Sequence, residues 1–134
     1  AIIHCKMYAE LEKEISELFE NKFKVIEQDY LSNFETEVIS IDFIGREYVF
    51  ALRYENIDAK HHYDDHLANH MRRVTVLYYP NDDYDGGELE FPRFNVKIKT
   101  KPDQIIIFPS CFIYDHIIHK AENGIRYVVG TTIF

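Results

Sequence analysis

Apolar residues open the chain at a spacing of three or four: Tyr8, Leu11, Ile15, Leu18, Phe19 and Phe23, with glutamates and lysines between them. That spacing predicts an amphipathic helix over 8–23, and a shorter helical stretch is expected over 25–31. Beyond it the period falls toward two. Val38–Ile44 and Glu47–Tyr54 read as strands of a hairpin turned at Gly45-Arg46. Arg73–Tyr79 is a further strand, closed by Pro80-Asn81 and the turn-rich run NDDYDGG. Glu88–Phe91, Val96–Thr100, Gln104–Phe108, Tyr114–Ile118 and Ile125–Phe134 complete a set of roughly eight strands. Short strands at this spacing suggest a sandwich or barrel. No internal repeat or low-complexity linker interrupts them. The expected organisation is one domain over 1–134, with a helical buttress over 1–34 and a β core over 38–134.

Composition changes this picture little. A length of 134 residues, with 46% hydrophobic and 28% charged positions, suits a soluble domain with a real core. Ten Phe and ten Tyr favour β packing. A net charge of −8 argues against nucleic acid as partner and fits a small molecule or a basic peptide. The apolar runs are too short to span a bilayer, and no charged-then-apolar leader opens the chain. Cys5 and Cys111 form no paired motif and read as reduced, buried thiols, so the expected setting is cytoplasmic.

The chemistry concentrates in HHYDDHLANH, residues 61–70, with four histidines and two aspartates in ten positions. Residues two apart on an extended segment face one side. Within the run only His62 has an acidic residue two places on, Asp64, so this pair could offer an imidazole and a carboxylate to one ion. A second histidine has to come from elsewhere, and His116 and His119 are both available. Two histidines and one carboxylate form the facial set used for non-haem Fe(II). A rival reading puts His62, His66 and His70 on one helix face as a surface zinc patch. The plainest alternative is a solvated polar loop.

The segments HYD at 62–64, RVTVLYYPNDDYDGGELEFP at 73–92 and IIIFPSCFIYDHIIHKAENGIRY at 105–127 resemble the prolyl 4-hydroxylase type of 2-oxoglutarate/Fe(II) dioxygenase. That family combines an HxD motif, a strand ending in YLN, a GGEL turn, an F-P-S strand, and a histidine ten residues ahead of a basic residue. The resemblance covers roughly residues 54–134. It implies a mostly β double-stranded β-helix, or jelly roll, with N-terminal helices. It implies His62, Asp64 and His116 as Fe(II) ligands, with Arg126 gripping the distal carboxylate of 2-oxoglutarate through its planar fork. Tyr79 matches a tyrosine that donates to the same carboxylate. The alternation of Thr75, Leu77 and Tyr79 places it inside if Leu77 is inside. Another family tyrosine would fall at Arg53, so its neighbour Tyr54 is a further cosubstrate candidate. The cofactors implied are Fe(II), 2-oxoglutarate and O2, with ascorbate as an addition, and the activity is hydroxylation of a C–H bond. The expected substrate is a prolyl residue of a peptide or protein, with a free amino acid or other small molecule as the alternative. A non-catalytic jelly-roll binding module is the competing class.

Some positions depart from the family or have plainer roles. Pro80 stands where the family has leucine, and Lys120-Ala121 where it has Pro-Val. Read locally, ENG at 122–124 suggests a hairpin joining the strands of His116 and Arg126. The family fold instead sends these strands to opposite sheets, and that is the reading adopted. Gly86 and Gly87 are expected at positive φ, His119 as a structural or surface histidine, and Arg72 or Arg73 as a brace for Asp64.

Overall fold

The run VTVLYY at Val74–Tyr79 becomes the central strand of the molecule because both of its faces are apolar. Leu77 and Tyr79 point into one cluster, while Val74 and Val76 point into a second on the opposite face. The computed structural model describes residues 49–66 and 72–134, together with Glu17 and Val25 as single helical positions. The expected N-terminal helices and the hairpin over 38–48 otherwise lie outside the described residues.

Ten strands run through the described part: β1 (Phe50–Tyr54), β2 (Ala59–His62), β3 (Val74–Tyr79), β4 (Asp85–Gly86), β5 (Leu89–Phe91), β6 (Val96–Ile98), β7 (Gln104–Pro109), β8 (His116–Ile118), β9 (Ala121–Glu122) and β10 (Arg126–Ile133). They form a major sheet in the order β1-β10-β3-β7, a minor sheet β2-β8-β5-β6, and a two-stranded ribbon β4-β9. Every pairing is antiparallel.

The two larger sheets share the main core. Leu77, Tyr79, Phe108 and Val128 come from the major sheet and Leu89, Phe91 and Ile118 from the minor one. Phe91 meets Phe108 edge-to-face, with ring centroids 5.0 Å apart. Burying each such side chain contributes about 1.5–3 kcal/mol, so truncating Leu89 to alanine should cost about 2–5 kcal/mol.

Apart from the β5–β6 pair and the β4-β9 ribbon, successive strands alternate between the two larger sheets as a jelly roll requires. β8 pairs with β2 and β5, whereas β10 pairs with β1 and β3. The segment 122–124 therefore does not close a hairpin between the strands of His116 and Arg126. It turns at Asn123, φ 52°, and carries the chain across to the other sheet. Gly124 is needed at this crossing, because a Cβ there would lie 2.2 Å from the Asp83 carbonyl oxygen.

The described residues hold ten strands where the sequence pattern places seven, its eighth at 38–44 lying outside them. The additions are β2, β4 and β9, of two to four residues each, too short to show a period. Cys111 is half-buried instead of buried, and Cys5 lies outside the described residues. Among the described residues, no helix is long and apolar enough to cross a membrane.

Candidate metal and cosubstrate site

β2 and β8 are antiparallel neighbours, and their register sets His62 directly across from His116. The two imidazoles lie with centroids 4.4 Å apart. β2 ends at His62, and a 3₁₀ turn over Asp64–His66 swings the Asp64 carboxylate back toward the pair. The i, i+2 relation thus works through a strand end and a turn instead of one continuous strand. Asp64 Oδ1 is 3.6 Å from His62 Nε2 and 3.9 Å from His116 Nε2. Ligand atoms of the three residues all lie within 4.8 Å of one another.

Both rings are oriented by the same device. His62 Nδ1 sits 2.6 Å from the Lys60 carbonyl oxygen, and His116 Nδ1 sits 3.1 Å from that of Tyr114. Each contact assigns the proton to Nδ1 and turns Nε2 toward Asp64. His116 is 2% exposed and packs against the rings of Phe91 and Phe108. Burial pushes its pKa below the ordinary histidine value, against the pull of Asp64. A neutral imidazole is the form a metal ion requires.

The brace on the Asp64 carboxylate is a residue to which the sequence reading gave no such role. Thr75 Oγ1 donates to Asp64 Oδ2 at 2.7 Å and lies 2.8 Å from Ser110 Oγ. Since the Thr75 proton goes to the carboxylate, Ser110 donates to Thr75. Both hydroxyls are buried. Arg72 acts on the turn instead, donating from Nη1 to the Asp64 carbonyl at 3.0 Å. The signal for Thr75 lay in its parity with Leu77 and Tyr79; nothing in the sequence marked Ser110.

A second group gathers at the adjoining end of the major sheet. Arg126 begins β10, is 1% exposed, and lies across from Tyr54 of β1. Its guanidinium carbon stands 4.5 Å from the Tyr54 ring centroid and 5.7 Å from that of Tyr79. Nη1 donates to the Gly87 carbonyl at 3.0 Å, while Nε and Nη2 are buried with no hydrogen-bond partner. The Tyr79 hydroxyl is likewise buried and unpartnered. Burial holds its pKa far above the ordinary tyrosine value, so it remains a proton donor. Asp64 is close enough for its charge to act on the Tyr79 and Tyr54 hydroxyls, which ties this group to the first. Three orphaned buried donors, two of them on an unbalanced guanidinium, are costly and match a carboxylate that accepts from all of them.

Gly86 and Gly87 have φ of 65° and 70°. At Gly87 more than the turn is at stake. A Cβ there would come 2.7 Å from the Tyr84 ring and 3.3 Å from Arg126 Cδ.

Among the described residues, His61, His119, Arg53 and Arg93 have local partners. His61 pairs with Asp115 at 2.6 Å, and Asp115 also accepts from Arg93. His119 pairs with Glu90, in keeping with a surface role. Arg53 pairs with Glu55 on the surface, so Tyr54 and not Arg53 faces the site. His62 on β2 and the following 3₁₀ turn do not belong to one helix, which removes the geometry of the zinc patch; His70 lies outside the described residues. His62, Asp64 and His116 are the one His/Cys/Asp/Glu group with metal-ligand spacing among the described residues.

Two facing antiparallel sheets with a His-Asp-His triad at one end and a buried arginine nearby define a jelly roll with a candidate metal site. Residues 49–133 match the model of the 2OG-Fe(II) oxygenase superfamily, and the chain belongs to that family. Membership implies Fe(II), 2-oxoglutarate and O2 as cofactors. A PKHD-type hydroxylase of Crocosphaera subtropica (strain ATCC 51142 / BH68) is 28% identical over 98 residues, which are 64% of this chain and 43% of the relative. The chain thus spans less than half of that protein's length. The fold resembles the 2OG complex of a viral collagen prolyl hydroxylase from Paramecium Bursaria Chlorella virus-1, with TM-score 0.66 and 24% identity over 84% of this chain and 70% of that one. It also resembles a Trichoplax adhaerens prolyl hydroxylase in complex with a hypoxia inducible factor peptide, with TM-score 0.64 and 24% identity over 84% of this chain and 54% of that one.

Proposed function

We propose that this chain is the catalytic core of a hydroxylase that binds Fe(II) through His62, Asp64 and His116 and holds 2-oxoglutarate with Arg126 and Tyr79. Its preferred substrate is a prolyl residue in a peptide or protein. The observation that carries the reading is the buried set of unpartnered donors, Tyr79 Oη with Arg126 Nε and Nη2, beside the His-Asp-His triad.

When bound, Fe(II) supplies O2 activation, coupling the conversion of 2-oxoglutarate to succinate and CO2 with transfer of the second oxygen atom into a substrate C–H bond. The protein's own residues prepare for this. The backbone carbonyls of Lys60 and Tyr114 hold the two imidazoles in one tautomer. Thr75 occupies Asp64 Oδ2 and leaves Oδ1 toward the histidines. Arg126 and Tyr79 orient the distal carboxylate, and Tyr54 is a platform under the guanidinium. Leu77, Leu89, Phe91, Phe108 and Val128 wall off water, which strengthens these contacts. Ascorbate fits as an external reductant.

A prolyl substrate is supported by the two prolyl hydroxylase structures and by the peptide bound in one of them. The test is anaerobic addition of Fe(II) and 2-oxoglutarate to metal-free protein, reading the weak visible charge-transfer band of a chelated keto acid. The band should form in the wild type and not in His116→Ala. Succinate release should then rise with proline-containing peptides. A folded wild type with no band would refute the reading, and a band without succinate from any peptide or amino acid would favour a binding module.

A further inference from the structure

Pro80 interrupts the β3–β10 ladder at a sensitive place. The register pairs Val129 with Tyr78, and carried on it sets Tyr127 opposite Pro80 and Arg126 opposite Asn81. Proline has no N–H and cannot complete that rung. The side chain of Asn81 makes the bonds instead. Its Oδ1 accepts from the Tyr127 N–H at 3.0 Å, and its Nδ2 donates to the Ile125 carbonyl at 2.7 Å. The other Nδ2 proton goes to Asp83 Oδ1. One amide therefore fastens the backbone on both sides of Arg126, two residues after Tyr79.

From this we infer that Asn81 is a positioning residue for the grip on the distal carboxylate of 2-oxoglutarate, an inference that rests on the cosubstrate reading above. A bidentate guanidinium bond needs the arginine held to a fraction of an ångström. Arg126 starts its strand, where the backbone would fray without the missing rung. Only an amide supplies both the acceptor for Tyr127 and the donors for Ile125 and Asp83. Aspartate would place a carboxylate against two oxygens. Tyr127 is 42% exposed, so in Asn81→Ala water can satisfy the freed backbone groups while the alignment of Arg126 is lost.

The test is an anaerobic titration of the Fe(II)-loaded chain with 2-oxoglutarate and with 2-oxobutyrate, which keeps the keto and C1-carboxylate groups but lacks the distal carboxylate. The charge-transfer band reports binding of either. Wild type should prefer 2-oxoglutarate by about a hundredfold or more, two tenfold steps. Asn81→Ala and Asn81→Asp should weaken 2-oxoglutarate about tenfold, leaving 2-oxobutyrate and Fe(II) affinity within about twofold. On an Arg126→Met background Asn81→Ala should change nothing further. If wild type does not distinguish the two acids, the cosubstrate assignment of Arg126 fails and the inference with it. If wild type distinguishes them and Asn81→Ala does so equally well, the positioning role alone is overturned. It is also overturned if both acids and Fe(II) weaken together. Asn81→Ser, which keeps one hydroxyl for Tyr127, is the variant to measure if alanine does not fold; if it too fails to fold, Asn81 belongs to the fold and not to the grip.

Discussion

Replacing Arg126 by methionine separates a cosubstrate arginine from a structural one. A buried ion costs several kcal/mol in lost hydration. Against this stand one charge-assisted hydrogen bond to the Gly87 carbonyl, about 1.5–3 kcal/mol, and stacking on Tyr54 at 4.5 Å, about 2 kcal/mol. The two sides nearly cancel, and Nε and Nη2 add nothing without a partner. Methionine removes both sides while keeping most of the apolar stem. Without ligand, Arg126→Met should therefore lie within about 1 kcal/mol of wild type, whereas breaking a buried ion pair costs about 3–5 kcal/mol. With Mn(II) as a redox-inert metal and 2-oxoglutarate at a hundred times its dissociation constant, wild type should gain about 2.7 kcal/mol over Mn(II) alone. A hundredfold weaker variant would gain about 0.4 kcal/mol under the same conditions. Urea unfolding followed by far-ultraviolet circular dichroism reads both quantities. A loss of 3 kcal/mol or more without ligand, together with an undiminished gain from 2-oxoglutarate, would refute the reasoning.

Other outcomes follow from the same geometry. Thr75→Val removes the donor to Asp64 and strands the Ser110 hydroxyl; Mn(II) affinity by calorimetry should fall about 10- to 100-fold, with Thr75→Ser restoring most of it. Tyr79→Phe deletes an unpartnered buried hydroxyl, so stability at neutral pH should hold while 2-oxoglutarate affinity falls about tenfold or more. Tyr79 also sets an alkaline limit: burial raises its folded pKa, so its contribution is complete below the unfolded value near pH 10 and is lost as pH rises above it. Denaturation midpoints should decline above about pH 10, and less steeply in Tyr79→Phe. Gly87→Ala meets the Tyr84 ring and Arg126 Cδ at a positive φ, and should cost about 1–3 kcal/mol in unfolding experiments while weakening 2-oxoglutarate.

The sequence made most of the long strands and the candidate site residues legible, for reasons that differ. Thr75, Leu77 and Tyr79 share a face because strand geometry has period two, and Leu77 and Tyr79 both enter the core. His62 and Asp64 could be read from spacing, although a turn and not a strand brings them together. The choice of His116 over His119 and the role of Arg126 came from resemblance alone, since no local rule joins residues so far apart in sequence. β4 and β9 were invisible because a two-residue strand exists only through its distant partner. Ser110 and Asn81 were missed for a related reason: their work lies in hydrogen bonds to residues 35 and 44 positions away, and a polar side chain does not show in sequence which backbone it will meet. Of the two arginines offered as a brace for Asp64, Arg72 reaches it, but it holds the backbone carbonyl and Thr75 holds the carboxylate.

The cross-strand placement of His62 and His116 has a consequence for how the molecule stays closed. β2 has four residues, lies at the margin of its sheet, and pairs with β8 in an irregular register. An ion shared by the two histidines would rivet that margin and close a loop of about fifty residues, as a disulfide does at a gain of about 2–4 kcal/mol. Without the rivet, β2 is the strand set to peel first, baring the edge of β8 to a neighbouring chain. Iron starvation would then reach this protein as protease cuts and clumping around residues 59–66, on top of any loss of turnover.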